Sequence, residues 1–312
     1  MKLDRTRIVR SAALAALALA ALAHAQAPAA PAKPAQPAAP APAAPAAPAK
    51  PAASAPAPAA GPKELPFEGA KPSARDVLRK HLEAVGGETG WSTKSQMRTT
   101  GTLEIPSAGL KGTLEMIALT PDKVLTTVDI AGMGKTSSGT DGTDGWSIDP
   151  MRGPALMGPA ELAQLRQDGD FLRDLALARE PGKAEVTGLF DFEGAPCWRV
   201  TLPPEGGAKE SHRFYDRETG LMRGVSMKMP TPMGEIPATV VSTEYKDFGA
   251  VKVATRTVMK VMGQQQVMTV DTVAWEGVDP KAFELPEEIK ALKSAAEKPA
   301  DAKPADAKPA GR

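Results

Sequence analysis

Apolar and polar residues alternate through most of residues 97–275, and this restricts the chain to a narrow set of folds. Leu103 and Ile105, for example, alternate with Thr102 and Glu104. A period of two gives each strand one apolar and one polar face, as in an antiparallel sheet. Turns with Pro, Gly and Asp separate the segments. The pattern predicts ten or eleven strands, among them 97–105, 110–118, 123–130, 185–192, 197–202, 211–215, 221–229, 238–245, 251–261 and 265–275.

Two segments have the helical period instead. The first begins after Ser73, a favourable N-cap residue, and ends at Gly86–Gly87. The second spans Ala160–Leu177, with Gly169 weakening its middle. The prediction is a mainly β domain with a few helices. Its antiparallel sheet should curl, because a flat sheet of that size is unfavourable, and the helices should cover the concave face.

The two ends of the chain have a composition that cannot form a core. Residues 27–62 contain 19 Ala and 12 Pro among 36 positions, so helix is blocked and little apolar area is available. As extended polyproline II, such a spacer reaches on the order of 100 Å. We therefore predict a disordered, proline-rich spacer at 26–64, a folded domain at 65–292 and a disordered Lys/Pro/Ala/Asp tail at 293–312.

The first 25 residues have the pattern of a secretory signal peptide. Four basic residues precede an apolar stretch from Ala12 to Ala23, and Ala23-His24-Ala25 fits the small-x-small rule for cleavage after Ala25. An uncleaved signal anchor is the alternative. We expect export to the periplasm or cell envelope, with no stable transmembrane span after cleavage.

Composition also limits the chemistry. Residues 63–291 hold 27 Lys/Arg and 33 Asp/Glu, and this net charge of −6 argues against a nucleic-acid binder. One cysteine rules out an intramolecular disulfide framework, and the common hydrolase and nucleotide motifs are absent, so no cofactor and no metal site are predicted. Asp141, Asp144 and Asp149 fit turn chemistry better than a calcium loop. Cys197 fits an inert buried thiol better than a nucleophile.

Three blocks of sequence carry a family resemblance. The first comprises Asp141–Trp146, Asp149–Pro154 and a helical segment with Glu161-Leu162 and Asp170-Phe171. The second is Tyr215–Leu221, and the third is Tyr245–Phe248 followed by Val251–Val253. In this order they resemble the outer-membrane lipoprotein-sorting family, the LolA/LolB-like proteins, over most of residues 74–286. The resemblance implies an unclosed half-barrel of about eleven strands, capped by helices that leave a hydrophobic cavity. It also implies carriage or sensing of acyl chains or lipoproteins at the envelope, without enzymatic chemistry.

Candidate site residues follow from the predicted cover and sheet. Flexible methionines suit a lining that accepts varied apolar shapes, although ordinary core packing explains them equally well. The candidates are Leu162, Leu165, Phe171, Leu172 and Leu175 on the cover, with Val225, Met227, Met229, Val253, Met259 and Val261 on the sheet. The predicted function is non-enzymatic binding of lipid or of a lipidated protein, including lipoprotein sorting. A periplasmic sensor or scaffold that docks another envelope protein is the alternative, and a hydrolase using Cys197 is the weakest one.

Overall fold

Fourteen antiparallel strands form a single sheet in the computed structural model, which describes residues 61–204, 210–231 and 234–297. The predicted signal peptide and most of the predicted spacer and tail lie outside these residues. The strands are β1 (Lys63–Leu65), β2 (Gln96–Ile105), β3 (Leu110–Leu119), β4 (Lys123–Ile130), β5 (Gly134–Thr140), β6 (Gly145–Asp149), β7 (Gly153–Leu156), β8 (Glu185–Phe192), β9 (Ala195–Leu202), β10 (Ser211–Asp216), β11 (Met222–Thr231), β12 (Gly234–Phe248), β13 (Val251–Val261) and β14 (Gln264–Ala274).

The order of the strands is β1-β8-β9-β10-β11-β12-β13-β14-β2-β3-β4-β5-β6-β7, so β1 and β7 are the two edges and the sheet is not closed. The sheet is strongly coiled. Lys260 on β13 donates to Glu193, after β8, with 2.8 Å between Nζ and Oε1. Five strand spacings in a flat sheet would separate β8 from β13 by about 24 Å. The predicted mainly β, curled and unclosed antiparallel sheet is confirmed.

Four of the fourteen strands are additional to the ten segments that the sequence pattern predicts. The segments β1, β5, β6 and β7 were not predicted as strands, because they lack large alternating apolar residues. Backbone pairing does not require such side chains. In β5, Gly139 has a packing role instead, since a Cβ there would lie 2.8 Å from Cζ2 of Trp146.

Five α-helices are described: α1 (Ala74–Ala84), α2 (Gly87–Ser92), α3 (Pro159–Gly169), α4 (Arg173–Arg179) and α5 (Glu287–Glu297). The predicted helix at 160–177 is therefore two helices. Gly169 ends α3, and the Asp170 carboxylate accepts from the Leu172 amide at 2.9 Å, which competes with a continuous helix. Gly169 also packs directly against Val124 of β4.

Both ends of the folded region extend past the predicted boundaries. Lys63 and Glu64, expected in the spacer, pair with β8 because its edge offers free backbone groups. At the other end, α5 continues to Glu297, past the boundary predicted at 292. Ile289 of α5 is fully buried, and Lys293, beyond the predicted boundary, pairs with Asp144 at 2.7 Å.

The helices α1 to α4 cover one face of the sheet, which we call the inner face. Val253 of β13 packs in one cluster with α1 and α4, and Val124 of β4 packs with Leu165 of α3. Strand register places Val225, Val240 and Met259 side by side on this same face. The opposite, outer face is partly covered by the chain after β14, where Phe283 packs among Ile117, Leu125 and Val278.

Candidate functional site

A pocket of about 80 Å³ lies between the helices and the inner face of β11–β13. Its apolar wall consists of Val85, Trp91, Phe171, Met222 and Val253. Its polar wall consists of His81, Asp170, Arg173, Asp174, Ser242, Tyr245, Lys252 and Thr257, and Ala254 completes the lining. The pocket is thus amphiphilic, since both apolar and charged side chains line it.

The corner between α1 and α2 forms one side of the pocket. A capping box starts α1, in which the Asp76 amide donates to Ser73 Oγ at 3.2 Å. At the other end of α1, Gly86 has φ 118°, and a Cβ there would lie 2.4 Å from the Ala250 carbonyl oxygen. Only glycine fits this close approach. The Lys252 amide then donates to the Val85 carbonyl at 2.9 Å, which holds the corner against β13.

Aromatic rings gather beside this corner. The ring centroids of Trp91 and Trp275 are 5.7 Å apart in an edge-to-face arrangement, and those of Phe171 and Trp275 are 6.2 Å apart. The Trp91 indole donates to the Val85 carbonyl at 3.0 Å. The aromatic group beside the pocket therefore comes from three parts of the chain, which are α2, the α3–α4 connection and the residue directly after β14.

A charged cluster joins the cover to the sheet. Asp174 of α4 accepts from Arg213 Nη1 of β10 at 2.9 Å and lies 3.2 Å from His81 Nε2 of α1. His81 Nδ1 faces the Gly220 carbonyl at 3.0 Å, so both ring nitrogens face acceptors, and both bonds form only when both nitrogens carry protons. Burial acts to raise the pKa of Asp174, but the His81 hydrogen bond and the charges of His81, Arg213 and Arg173 hold it well below its usual range.

Two further groups of the cover carry perturbed pKa values. Burial raises the pKa of Asp168 to about 7, although Gln164, which donates to it at 2.8 Å, and the positive charges of Arg173 and Arg213 act in the opposite direction. Burial and the charge of Arg213 lower the pKa of Arg173 to about 9. Desolvation thus outweighs pairing at both groups.

Three hydroxyls lie in a row on the inner face near α3. Register aligns Thr99, Met116, Thr126 and Ser138 across β2 to β5. The three hydroxyl-bearing residues are at most 3% exposed, and their side-chain oxygens have no hydrogen-bond partner within the described ranges. The inner face therefore contains polar positions between its apolar clusters.

Two of the predicted site residues, Phe171 and Val253, line the pocket. Leu172 and Leu175 pack beside α1, Leu165 packs on Met97 and Val124, and Leu162 lies against Gly145. The other sheet residues lie elsewhere on the inner face. Val225 is buried, and a separate cluster holds Met227, Met229, Met259 and Val261.

The polar pocket residues were not predicted from the sequence. His81 and Asp174 are 93 positions apart, and Arg213 follows 39 positions later, so no local motif joins them. One weak signal was available. His81 is one of only two histidines outside the predicted signal peptide, and it lies among the apolar positions of α1.

Cys197 is fully buried on the outer face. Burial and the negative charge of Asp216 raise the pKa of its thiol to about 12. A nucleophilic cysteine needs a lowered pKa and a nearby histidine. His81 lines the inner pocket, and His212 bonds instead to Thr201. These observations argue against the hydrolase alternative.

The three aspartates that could have suggested a calcium loop serve turns and an ion pair. Asp141 Oδ1 accepts from the amides of Thr143 and Asp144 at 2.7 and 2.8 Å. Asp149 Oδ1 accepts from the Met151 amide at 2.8 Å, and Asp144 pairs with Lys293 at 2.7 Å. The predicted turn chemistry is confirmed.

Among the described residues, no helix has the length and apolar character needed to span a bilayer. No family model matches the chain, and no curated protein matches it either.

Similar folds do occur among solved structures. A LolA superfamily protein from Nitrosomonas europaea has 10% sequence identity and a TM-score of 0.48, and the match covers 69% of this chain and 99% of that one. A DUF1329 family protein from Desulfovibrio piger has 11% sequence identity and a TM-score of 0.47, and the match covers 68% of this chain and 95% of that one. An outer membrane lipoprotein-sorting protein domain from Vibrio parahaemolyticus has 11% sequence identity and a TM-score of 0.44, and the match covers 67% of this chain and 95% of that one. The solved structures that this chain resembles thus include LolA-like and lipoprotein-sorting proteins, at low sequence identity.

Proposed function

We propose that this protein is a non-enzymatic protein of the cell envelope that binds an apolar chain, such as a lipid or the acyl chain of a lipoprotein, between its helices and its sheet. The observation that carries the proposal is the pocket whose wall consists of Trp91, Phe171, Met222 and Val253. The signal-like leader and the resemblance to lipoprotein-sorting proteins support the envelope setting and a role in lipoprotein sorting.

The size of the pocket defines how such a chain enters. A volume of about 80 Å³ holds a few small groups and not a whole acyl chain. Entry therefore requires α3, α4 or their connection to move away from the inner face. The connection at Asp170–Leu172 is a natural place for this movement, because the helical backbone is already interrupted there.

Burial of the ligand provides the driving force. Each methylene that leaves water contributes about 0.8 kcal/mol. A long acyl chain therefore gains enough to exceed the costs of association and of displacing the cover. The charged wall, with Arg173, Asp174 and Lys252, would stay near the polar end of the ligand.

One observation favours a second candidate function. Much of the inner face is filled by its own side chains, with Val225 at 4%, Met259 at 5% and Leu103 at 2% exposure. A filled interior suits a periplasmic sensor or scaffold that docks another envelope protein with its surface. The two candidates differ in whether a folded wild-type chain takes up a lipid.

Displacement of a fluorescent fatty acid by unlabelled palmitic acid tests the proposal. The wild-type chain should bind the probe, and Phe171→Asp should weaken binding by roughly tenfold or more, because it places a charge on the apolar wall. Leu292→Asp is the matched control, since Leu292 is 38% exposed on α5 and does not line the pocket. Circular dichroism establishes that each variant is folded. Absence of probe binding by the folded wild type would favour the scaffold.

A further inference from the structure

Three methionines are exposed at hairpin turns. Five large hydrophobic side chains are exposed among the described residues. Three of them are Met133, Met151 and Met262, with 36%, 78% and 70% exposure. Met262 is at the β13–β14 turn, Met133 at the β4–β5 turn and Met151 at the β6–β7 turn. None of them belongs to the pocket.

The topology brings these turns to one end of the sheet. Strands β13, β14, β2, β3, β4, β5, β6 and β7 are consecutive neighbours and antiparallel. The β13–β14, β2–β3, β4–β5 and β6–β7 turns therefore leave the sheet at the same end, and neighbouring turns are about 10 Å apart. Ser107 hydrogen-bonds Gln264, and a Cβ on Gly134 would lie 3.1 Å from Cγ of Pro150, so neighbouring turns touch. We call residues 106–109, 131–133, 150–152 and 262–263 the methionine rim.

The rim is almost free of charge. Arg152 is its single charged residue, directly after the most exposed methionine. Two nearby acids are engaged elsewhere, since Asp149 accepts from the amides of Met151 and Arg152, and Glu104 pairs with Lys111 at 2.6 Å. The remaining rim residues are Pro, Ser, Ala and Gly. The rim thus has apolar tips with one cation at their base.

We propose that the methionine rim docks on a lipid bilayer surface, with the methionine side chains among the upper acyl segments and Arg152 on a lipid phosphate. Two features favour lipid over a protein partner. The rim has no aromatic residue of the kind that anchors protein interfaces, and its apolar groups are spread over separate turns instead of forming one pocket. Flexible methionines suit a fluid phase, and a cation beside an apolar tip matches the order of layers at a membrane interface.

Vesicle co-sedimentation of the full chain tests this surface, with phosphatidylcholine and phosphatidylglycerol vesicles used separately. The combined variant Met133→Ser, Met151→Ser, Met262→Asn should bind at least roughly tenfold more weakly, because three inserted apolar groups are lost. Asparagine is chosen for Met262, which has φ 48°. The control Leu156→Ser, Leu292→Ser removes two exposed leucines away from the rim and should bind like the wild type. Arg152→Gln should weaken binding to both lipids, since both carry a phosphate.

A fluorescent label gives a second readout. Cys197 is fully buried, so a polarity-sensitive dye reacts selectively with an introduced cysteine. Emission from Met151→Cys should shift to the blue when vesicles are added, whereas emission from Leu292→Cys should not. Undiminished binding by the combined methionine variant, or no binding and no shift for the folded wild type, would overturn the proposal. A shift without vesicles, accompanied by dimers in sedimentation velocity, would assign the rim to a second copy of the chain and overturn it too.

Discussion

At the residue scale, the most informative group is the cluster around Asp174. Its carboxylate contacts His81 of α1 and Arg213 of β10, which are 2% exposed each. Removing one partner would leave a charge without compensation in a low-dielectric site. The cluster therefore holds the cover on the sheet, and an incoming apolar chain must pass beside it.

Asp168 leads to a prediction about pH. Its pKa is about 7 in the folded protein, against a usual value of 3.8, so the folded state binds the additional proton between these values. Stability falls as pH rises wherever the folded state binds more protons than the unfolded state. Ionisation of Asp168 therefore lowers the stability progressively from about pH 4 to pH 7, and its effect is constant above pH 7. Asp168→Asn removes that loss. Compared with the wild type, the variant should gain about 1–3 kcal/mol at pH 8 and little at pH 4.

Urea unfolding at several pH values measures this difference. A gain that is equal at pH 4 and pH 8 would contradict the assignment of the raised pKa to Asp168. Asp122→Asn provides a control, because Asp122 lies on the β3–β4 turn outside this cluster.

Cys197 leads to a prediction about reactivity and packing. The native thiol should resist labelling at pH 8, because its pKa is raised and its side chain is fully buried. Cys197→Ser should cost about 1–3 kcal/mol of unfolding free energy, since a hydroxyl would replace the thiol among Phe190, Phe192 and Phe214. Cys197→Ala should cost less. Rapid labelling of the folded chain would revive the thiol hydrolase alternative.

Some residue-scale features could be predicted from the sequence. The turn formed by Asp216, whose carboxylate accepts from the Thr219 amide at 2.8 Å, and the positive φ of Gly220 follow from local chain chemistry. The N-cap at Ser73 could also be predicted from the local sequence. The ionic cluster could not be predicted, because its members come from three elements that meet only in the folded chain.

At the element scale, the break between α3 and α4 shows what periodicity leaves out. Leu165 and Leu175 both fit one helical pattern, and both are buried, yet they lie on separate helices. Gly169 is a weak point of the predicted helix on propensity alone. Its close contact with Val124 of β4 depends on the tertiary structure and has no signature in the local sequence.

Gly169→Ala tests that contact. The new methyl group would lie 2.2 Å from Cγ2 of Val124, so we expect a loss of about 1–3 kcal/mol in spite of the better helix propensity of alanine. Gly158→Ala at the start of the same helix is the control. Its nearest contact would be 3.7 Å from Glu161 Oε2, and its effect should stay within about 1 kcal/mol. Thermal unfolding of both variants gives the comparison, and equal melting temperatures would refute the packing role of Gly169.

At the scale of the whole molecule, the sequence predicts the sheet and its covering helices better than it predicts the pocket. The period of two predicts ten of the strands, because one face of each strand must be buried. The short strands with small residues, such as β5, pair through their backbones and carry no such alternation of large apolar side chains. The pocket depends on gaps left between packed elements, and the same alternating pattern is compatible with a filled or an open interior.

Native mass spectrometry of the full chain with palmitic acid tests the central claim most directly. The folded wild type and Leu292→Asp are predicted to carry one palmitic acid, whereas Phe171→Asp is predicted to carry little or none. Butyric acid should not be retained by any of them, because so short a chain buries too little apolar area to offset the cost of association. A folded wild-type chain without bound palmitic acid, or equal occupancy in the wild type and Phe171→Asp, would contradict an acyl-chain site between the helices and the sheet.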